Sequence, residues 1–162
     1  MIYGYKLTLL VAALLLALIA GLFYSYSVSV NPGLGRLTDK EYLRAMQSIN
    51  RAILNPAFFI SFIGSVIILP VSAWLVYRHE GMGTSFYFVL AATIVYIGGV
   101  FGVTMFGNVP LNNTLDKLSL DSATMEQLKS WRAGFEISWN RLHSVRAFAN
   151  ILSLLLFLAG FI

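Results

Sequence analysis

Four stretches of this chain contain no charged residue: 7 to 35, 52 to 77, 81 to 115 and 147 to 162. A helix that crosses the hydrocarbon core of a bilayer needs about 20 consecutive apolar residues, and the first three stretches exceed that. The fourth supplies only 16 residues after Arg146, roughly 24 Å at 1.5 Å each against a core of about 30 Å. Its span must begin earlier, near His143, which puts a guanidinium inside the apolar length. The expected fold is all-α: an integral membrane four-helix bundle in one domain, 1–162, with short interfacial helices on one face. The spans are placed at about 4–30, 55–77, 84–108 and 140–162.

Composition excludes the alternatives. Charged residues are 11% of the chain, against roughly 25% in soluble domains, and mean hydropathy is +0.77. There is too little polar surface for a globule in water or for a disordered chain. The chain has no cysteine, which removes disulfides, thiolate metal sites and thiol redox chemistry. The net charge of +4 sits in loops beside the spans, where orientation and lipid contact account for it, so no nucleic-acid partner is expected. The first apolar run is too long for a signal-peptide core and lacks an Ala-x-Ala site.

Punctuation along the chain predicts the element ends. Asn31-Pro32-Gly33 closes the first helix, whose small residues Ala13, Ala17, Gly21, Ser25 and Ser29 form a stripe suited to close helix packing. Thr38 and Glu41 make a capping box that opens a short amphipathic helix carrying Leu43, Met46 and Ile49. Asn55-Pro56 reads as N-cap and first position of the second span, which Pro70 should kink. In the third span Gly98 and Gly102 form a GxxxG pair, and Val109-Pro110 should stop or kink the helix. Residues 111 to 138 are the longest polar stretch, with a helix from about Ser122 running into the fourth span.

Up-down-up-down threading brings nearly all the unusual polar residues to one membrane face. On the fourth helix Trp139, His143, Arg146, Asn150 and Ser153 fall within an arc of about 80°, and Thr104 and Asn108 share a face of the third. Ionisable and amide groups at that depth face the bundle interior or a wet cavity, so a polar pocket is expected below one surface, roofed by residues 33 to 50 and 111 to 138. Eight Lys and Arg flank that face against two, Lys6 and Arg78, on the other. The positive-inside rule then makes the pocket face cytoplasmic, in a multi-pass protein of the bacterial inner membrane.

The two histidines, His79 and His143, lie at opposite ends of the bundle, and no carboxylate falls inside a predicted span, so no metal site is expected. What the pocket offers is one general base, His143, two cations, Arg146 and Arg51, several amides, and aromatic walls. That set can deprotonate a weakly acidic aromatic molecule, hold its anion and exclude water. A haem held through His143 alone, or a quinone between helices, stays open as an alternative, as does a partner-subunit role. Four helices without an internal repeat disfavour a transporter.

The segments GLFYSYSVSVNPGL at 21 to 34, INRAILNP at 49 to 56, GVFGVTMFGNVPLNN at 99 to 113 and W…H..VR at 139 to 146 resemble the anthrone oxygenase-like family of small four-helix membrane proteins. The resemblance spans nearly the whole chain and implies oxidation of a polyketide anthrone to an anthraquinone by dioxygen, without metal or flavin. The last motif usually has Asn near the position of His143, so the histidine is this sequence's own. On that reading His143 takes the acidic proton, Arg146 and Arg51 stabilise the enolate, and Asn55, Asn108 and Asn112 orient carbonyl and hydroxyl groups. Tyr24 and Trp139 stack on the rings, with Tyr26, Thr104 and Asn150 completing the binding residues. The partners expected are the lipid bilayer, a small aromatic or lipid-like ligand, and a second copy of the chain in a homo-oligomer.

Overall fold

A computed structural model describes residues 2–161. Four of its helices are long and apolar enough to cross a membrane: α1 (Gly4–Leu34), α3 (Pro56–Glu80), α4 (Thr84–Asp116) and α5 (Met125–Ala159). A shorter helix, α2 (Asp39–Ala52), lies between α1 and α3.

The starts follow local chemistry. Asn55 caps α3, its Oδ1 accepting the Phe58 N–H at 3.1 Å, with Pro56 at the first helical position. The Glu41 carboxylate accepts from the Thr38 N–H at 3.0 Å and hydroxyl at 2.6 Å, fixing the start of α2. At α5 the Thr124 N–H donates to Gln127 Oε1 at 2.9 Å and the Thr124 hydroxyl oxygen accepts the Gln127 N–H at 3.2 Å, and the helix runs unbroken through the polar stretch into the fourth span.

Two expected helix ends are overturned. The prolines at 32 and 110 do not end their helices. In each case the N–H of the preceding residue reaches back five positions, Asn31 to the Tyr26 carbonyl and Val109 to the Thr104 carbonyl. A proline ring crowds the carbonyl four residues earlier, here Val28 and Phe106, and both lie inside these widened π-helical turns. The widening absorbs the clash, so Asn31 and Val109 keep helical dihedrals and the chain continues to Leu34 and Asp116. Pro70 sits within α3, which continues through it.

Of the small-residue stripe of α1 only Ala13 packs, partly, against the bundle core; Ala17, Gly21, Ser25 and Ser29 are exposed. The buried face is Ala12, Leu16, Ile19 and Phe23, because larger side chains fill the gap to α3 and α5. On α4 the close approach is made by Gly99, where an added Cβ would lie 2.6 Å from the Ala149 Cβ; at Gly98 it would meet nothing within 4 Å.

Two apolar clusters divide the molecule. One joins α1, α3, α4 and α5 through Leu16, Leu69, Val89, Tyr96 and Phe157. Lipid is as apolar as these side chains, so this cluster coheres by close packing and by bonds such as Ser153 Oγ to the Ala92 carbonyl, 2.8 Å, and Tyr96 OH to the Phe62 carbonyl, 3.0 Å. The other joins α2 to the C-terminal turns of α1 and α4 and the first turns of α5 through Tyr42, Leu43, Met46, Leu115 and Leu128. Charged α2 places it toward water, where apolar burial itself drives association. Arg132 ties this cap down, donating to the carbonyls of Leu37 at 2.7 Å and Gly35 at 3.1 Å and pairing with Asp39 and Glu136. Asp121 bridges Lys40 and Arg44 on the outside.

Candidate functional site

Under the cap lies a cavity of about 200 Å³, between α1, the α2–α3 connection, α4 and α5. It is smaller than the roughly 300–1,000 Å³ usual for drug-sized ligands, which suits a compact flat molecule. The buried face of α5 supplies its inner wall. Trp139, His143, Arg146, Asn150 and Ser153 are all buried on that face, His143 at 1% and Arg146 at 9% exposure. The wide turn of α1 brings Tyr26 and Ser27 to the same place, and the wide turns of α4 deliver Thr104. Such π-helical turns recur at functional sites because they re-aim side chains without ending the helix.

Arg146 is the dominant charge. Its guanidinium carbon stands 4.5 Å from the Phe23 ring centroid and 5.1 Å from that of Trp139. Among the described residues no carboxylate lies within ion-pair distance of it. Aromatic faces offset part of the cost of burying a cation, and what is missing is an anion.

Hydrogen-bond chemistry fixes the state of His143. Arginine has donors only, and Arg146 Nη2 is 3.2 Å from His143 Nδ1, so Nδ1 carries the lone pair. The proton of the neutral ring is then on Nε2, which donates to Ser27 Oγ at 2.9 Å, while the Ser27 hydroxyl donates to the Phe23 carbonyl at 2.9 Å. The ring lies flat on Trp139, centroids 5.0 Å apart and planes 8° from parallel. Trp139 is held by its own N–H, donated to Asn112 Oδ1 at 2.9 Å.

Of the residues singled out from sequence, Tyr26, Arg51, Thr104, Asn112, Trp139, His143 and Arg146 line this cavity. Arg51 is at the rim rather than over the centre, 65% exposed and paired with Asp116 at 2.6 Å. Four others are not in the wall. Tyr24 is 59% exposed on the lipid side, one helical step of about 100° from Phe23, the ring that faces Arg146. Asn55 spends its side chain on its own helix cap and on the Ala52 carbonyl. Asn108 sits behind Trp139, whose carbonyl it reaches at 3.4 Å. Asn150 lies deeper, fully buried with neither side-chain atom partnered.

Sequence reasoning missed Phe23 and Asp116 and gave Asn50 no role, although Asn50 Nδ2 is a buried donor without a partner in the cavity wall. Phe23 had a signal: it continues the Ala12, Leu16, Ile19 stripe at spacings of three and four. Asp116 had none, because it was read as loop beyond a helix end.

Among the described residues no three His, Cys, Asp or Glu side chains gather as metal ligands. Residues 58–156 match the model of the anthrone oxygenase family. That is most of the chain, and it contains Thr104, Asn112, Trp139, His143 and Arg146. The chain belongs to that family. No curated protein and no solved structure matches it.

Proposed function

We propose that this member of the anthrone oxygenase family binds a flat phenolic or enolisable aromatic carbonyl compound in the cavity and inserts oxygen into it without a cofactor. The observation that carries the reading is Arg146: a buried guanidinium beside two aromatic rings, with no carboxylate at ion-pair distance among the described residues, is a receptor for a planar aromatic anion.

Binding begins with the ligand's oxygen taking over the Arg146 N–H groups now directed at His143. That frees the Nδ1 lone pair, and Nδ1 receives the proton from the ring CH2 or its enol. The Nε2 side stays on Ser27, which holds the ring's orientation. Trp139 and Phe23 face the aromatic plane, Asn50 and the Asn112 amide N–H groups donate to further oxygens, and the Thr104 hydroxyl, donated to the Val100 carbonyl at 2.7 Å, accepts from a ligand hydroxyl. Arg51 and Asp116 guard the mouth.

The enolate then passes one electron to dioxygen, and the resulting radical and superoxide join to make the new C–O bond. Protonation gives a hydroperoxide that loses water, so that CH2 and O2 become C=O and H2O. Dioxygen is the only oxidant required.

The test is oxygen consumption by purified protein supplied with an anthrone. Wild type is expected to turn over, and Arg146→Gln to fall by about 10²-fold or more, the usual effect of removing one anion-stabilising donor. Wild-type protein that consumes no oxygen above the rate of the anthrone alone sinks the reading.

A further inference from the structure

The cavity is closed on the α5 side and polar at its Arg51–Asp116 rim, but its wall between α1 and α3 is apolar and faces lipid. Leu22 and Leu54 line it there at 37% and 64% exposure. Along the same seam lies a second, open depression lined almost wholly by apolar side chains, among them Leu15, Ile60, Gly64 and Ile67, with Thr8 at its far end.

The two follow one track between α1 and α3: they share no lining residue, but Phe58 lines the cavity and the next residue, Phe59, lines the depression. On α1 the lining residues Thr8, Leu15 and Leu22 recur at intervals of seven, and on α3 Ile60 and Ile67 do the same. An interval of seven keeps to one face of a helix. The track is open because Gly64 has no side chain: a Cβ there would meet Leu15 Cδ1 at 3.0 Å. From Phe58 beside the cavity to Val71 at the far end, α3 rises about 20 Å, most of the hydrocarbon thickness of one bilayer.

We infer that the molecule bound in the cavity is an amphiphile, a phenolic ring carrying a hydrocarbon or isoprenoid tail, with the ring at Arg146 and the tail laid in the α1–α3 groove. The inference rests on the phenolic-head reading above and extends it to the substrate class and its route of entry, sideways from the bilayer. A head group alone would need only the 200 Å³ cavity; a tail explains why an apolar groove starts beside the polar site, at Phe59 next to Phe58.

The experiment measures equilibrium binding of two radiolabelled hydroquinones, one bearing a farnesyl chain and one a methyl group, to the protein in nanodiscs, with empty nanodiscs subtracted to remove simple partitioning. The farnesyl compound is expected to bind at least about tenfold more tightly. Ile60→Trp, at a position 65% exposed, obstructs the groove and should abolish the difference between the two compounds; Ile94→Trp, on the lipid face of α4 at 63% exposure, should leave it intact. Equal affinity of the two for wild type, or an undiminished difference in Ile60→Trp, overturns the groove. Arg146→Gln separates the two readings: if it weakens neither compound while the tail effect persists, the head assignment fails and the groove stands. Wild-type protein that binds neither compound overturns both.

Discussion

At the scale of single residues, the site is organised by the fact that arginine can only donate. Arg146 therefore decides which nitrogen of His143 holds the proton, and through it the direction of every bond out to the Phe23 carbonyl. The same contact keeps the basic lone pair occupied until a ligand competes for the guanidinium, so deprotonation is coupled to binding. His143→Gln keeps a hydrogen-bonding side chain but removes the base, and turnover at neutral pH is expected to drop about 10²–10⁴-fold. The pH profile separates loss of a base from loss of packing: without the histidine, the rate should climb about tenfold per pH unit as the substrate ionises unaided. Full activity in that variant, or a loss that does not vary with pH, would rule out His143 as the base.

Elements show how local rules are bent to serve the site. Two X-Pro pairs that should have ended helices are instead accommodated by wide turns, and those turns carry Tyr26, Ser27 and Thr104. Close packing of α4 on α5 depends on Gly99, so Gly99→Ala is expected to cost about 1–3 kcal/mol by overpacking, whereas Gly98→Ala, which meets nothing within 4 Å, should melt like wild type. Thermal unfolding in detergent checks the pair, and equal shifts would contradict the packing described. The start of α2 responds to acid. Bonds from Thr38 hold the Glu41 carboxyl below its ordinary value of 4.5, so its contribution is complete above that value and is lost as pH falls through the lower folded-state one. The protection of amides 38–42 from exchange, relative to their intrinsic rate at each pH, should fall below about pH 4.5, and Thr38→Ala should remove most of that pH dependence.

The whole molecule is a membrane bundle with an asymmetric load: cap, cavity and most basic residues lie at one end. If the positive-inside bias sets orientation, the cap faces the cytoplasm. The absence of cysteine makes this easy to read, since one introduced thiol is the only one present. Met82→Cys, in the turn between α3 and α4, should react with an impermeant maleimide on intact cells, and Ser119→Cys, in the exposed loop before α5, only after permeabilisation. The reverse pattern would turn the cavity to the other side and change which compartment supplies its ligand.

Much of this could be read from one dimension. The number of spans, the buried face of α5 and the capped starts of α2, α3 and α5 depend on charge spacing, periodicity and residues within four positions of each other, and those are properties of the string. Arg146 was placed inside the bilayer by length alone. What the string could not decide was which face of α1 turns inward, because small residues and large ones both offer a packing surface and the choice belongs to α3 and α5. It could not show that Arg51 is spoken for by Asp116, that Phe23 rather than Tyr24 faces the cation, or that an apolar groove lies between α1 and α3 beside the cavity. Each of those is a relation between residues far apart in the chain, fixed only when four helices find the one arrangement that fills the space between them.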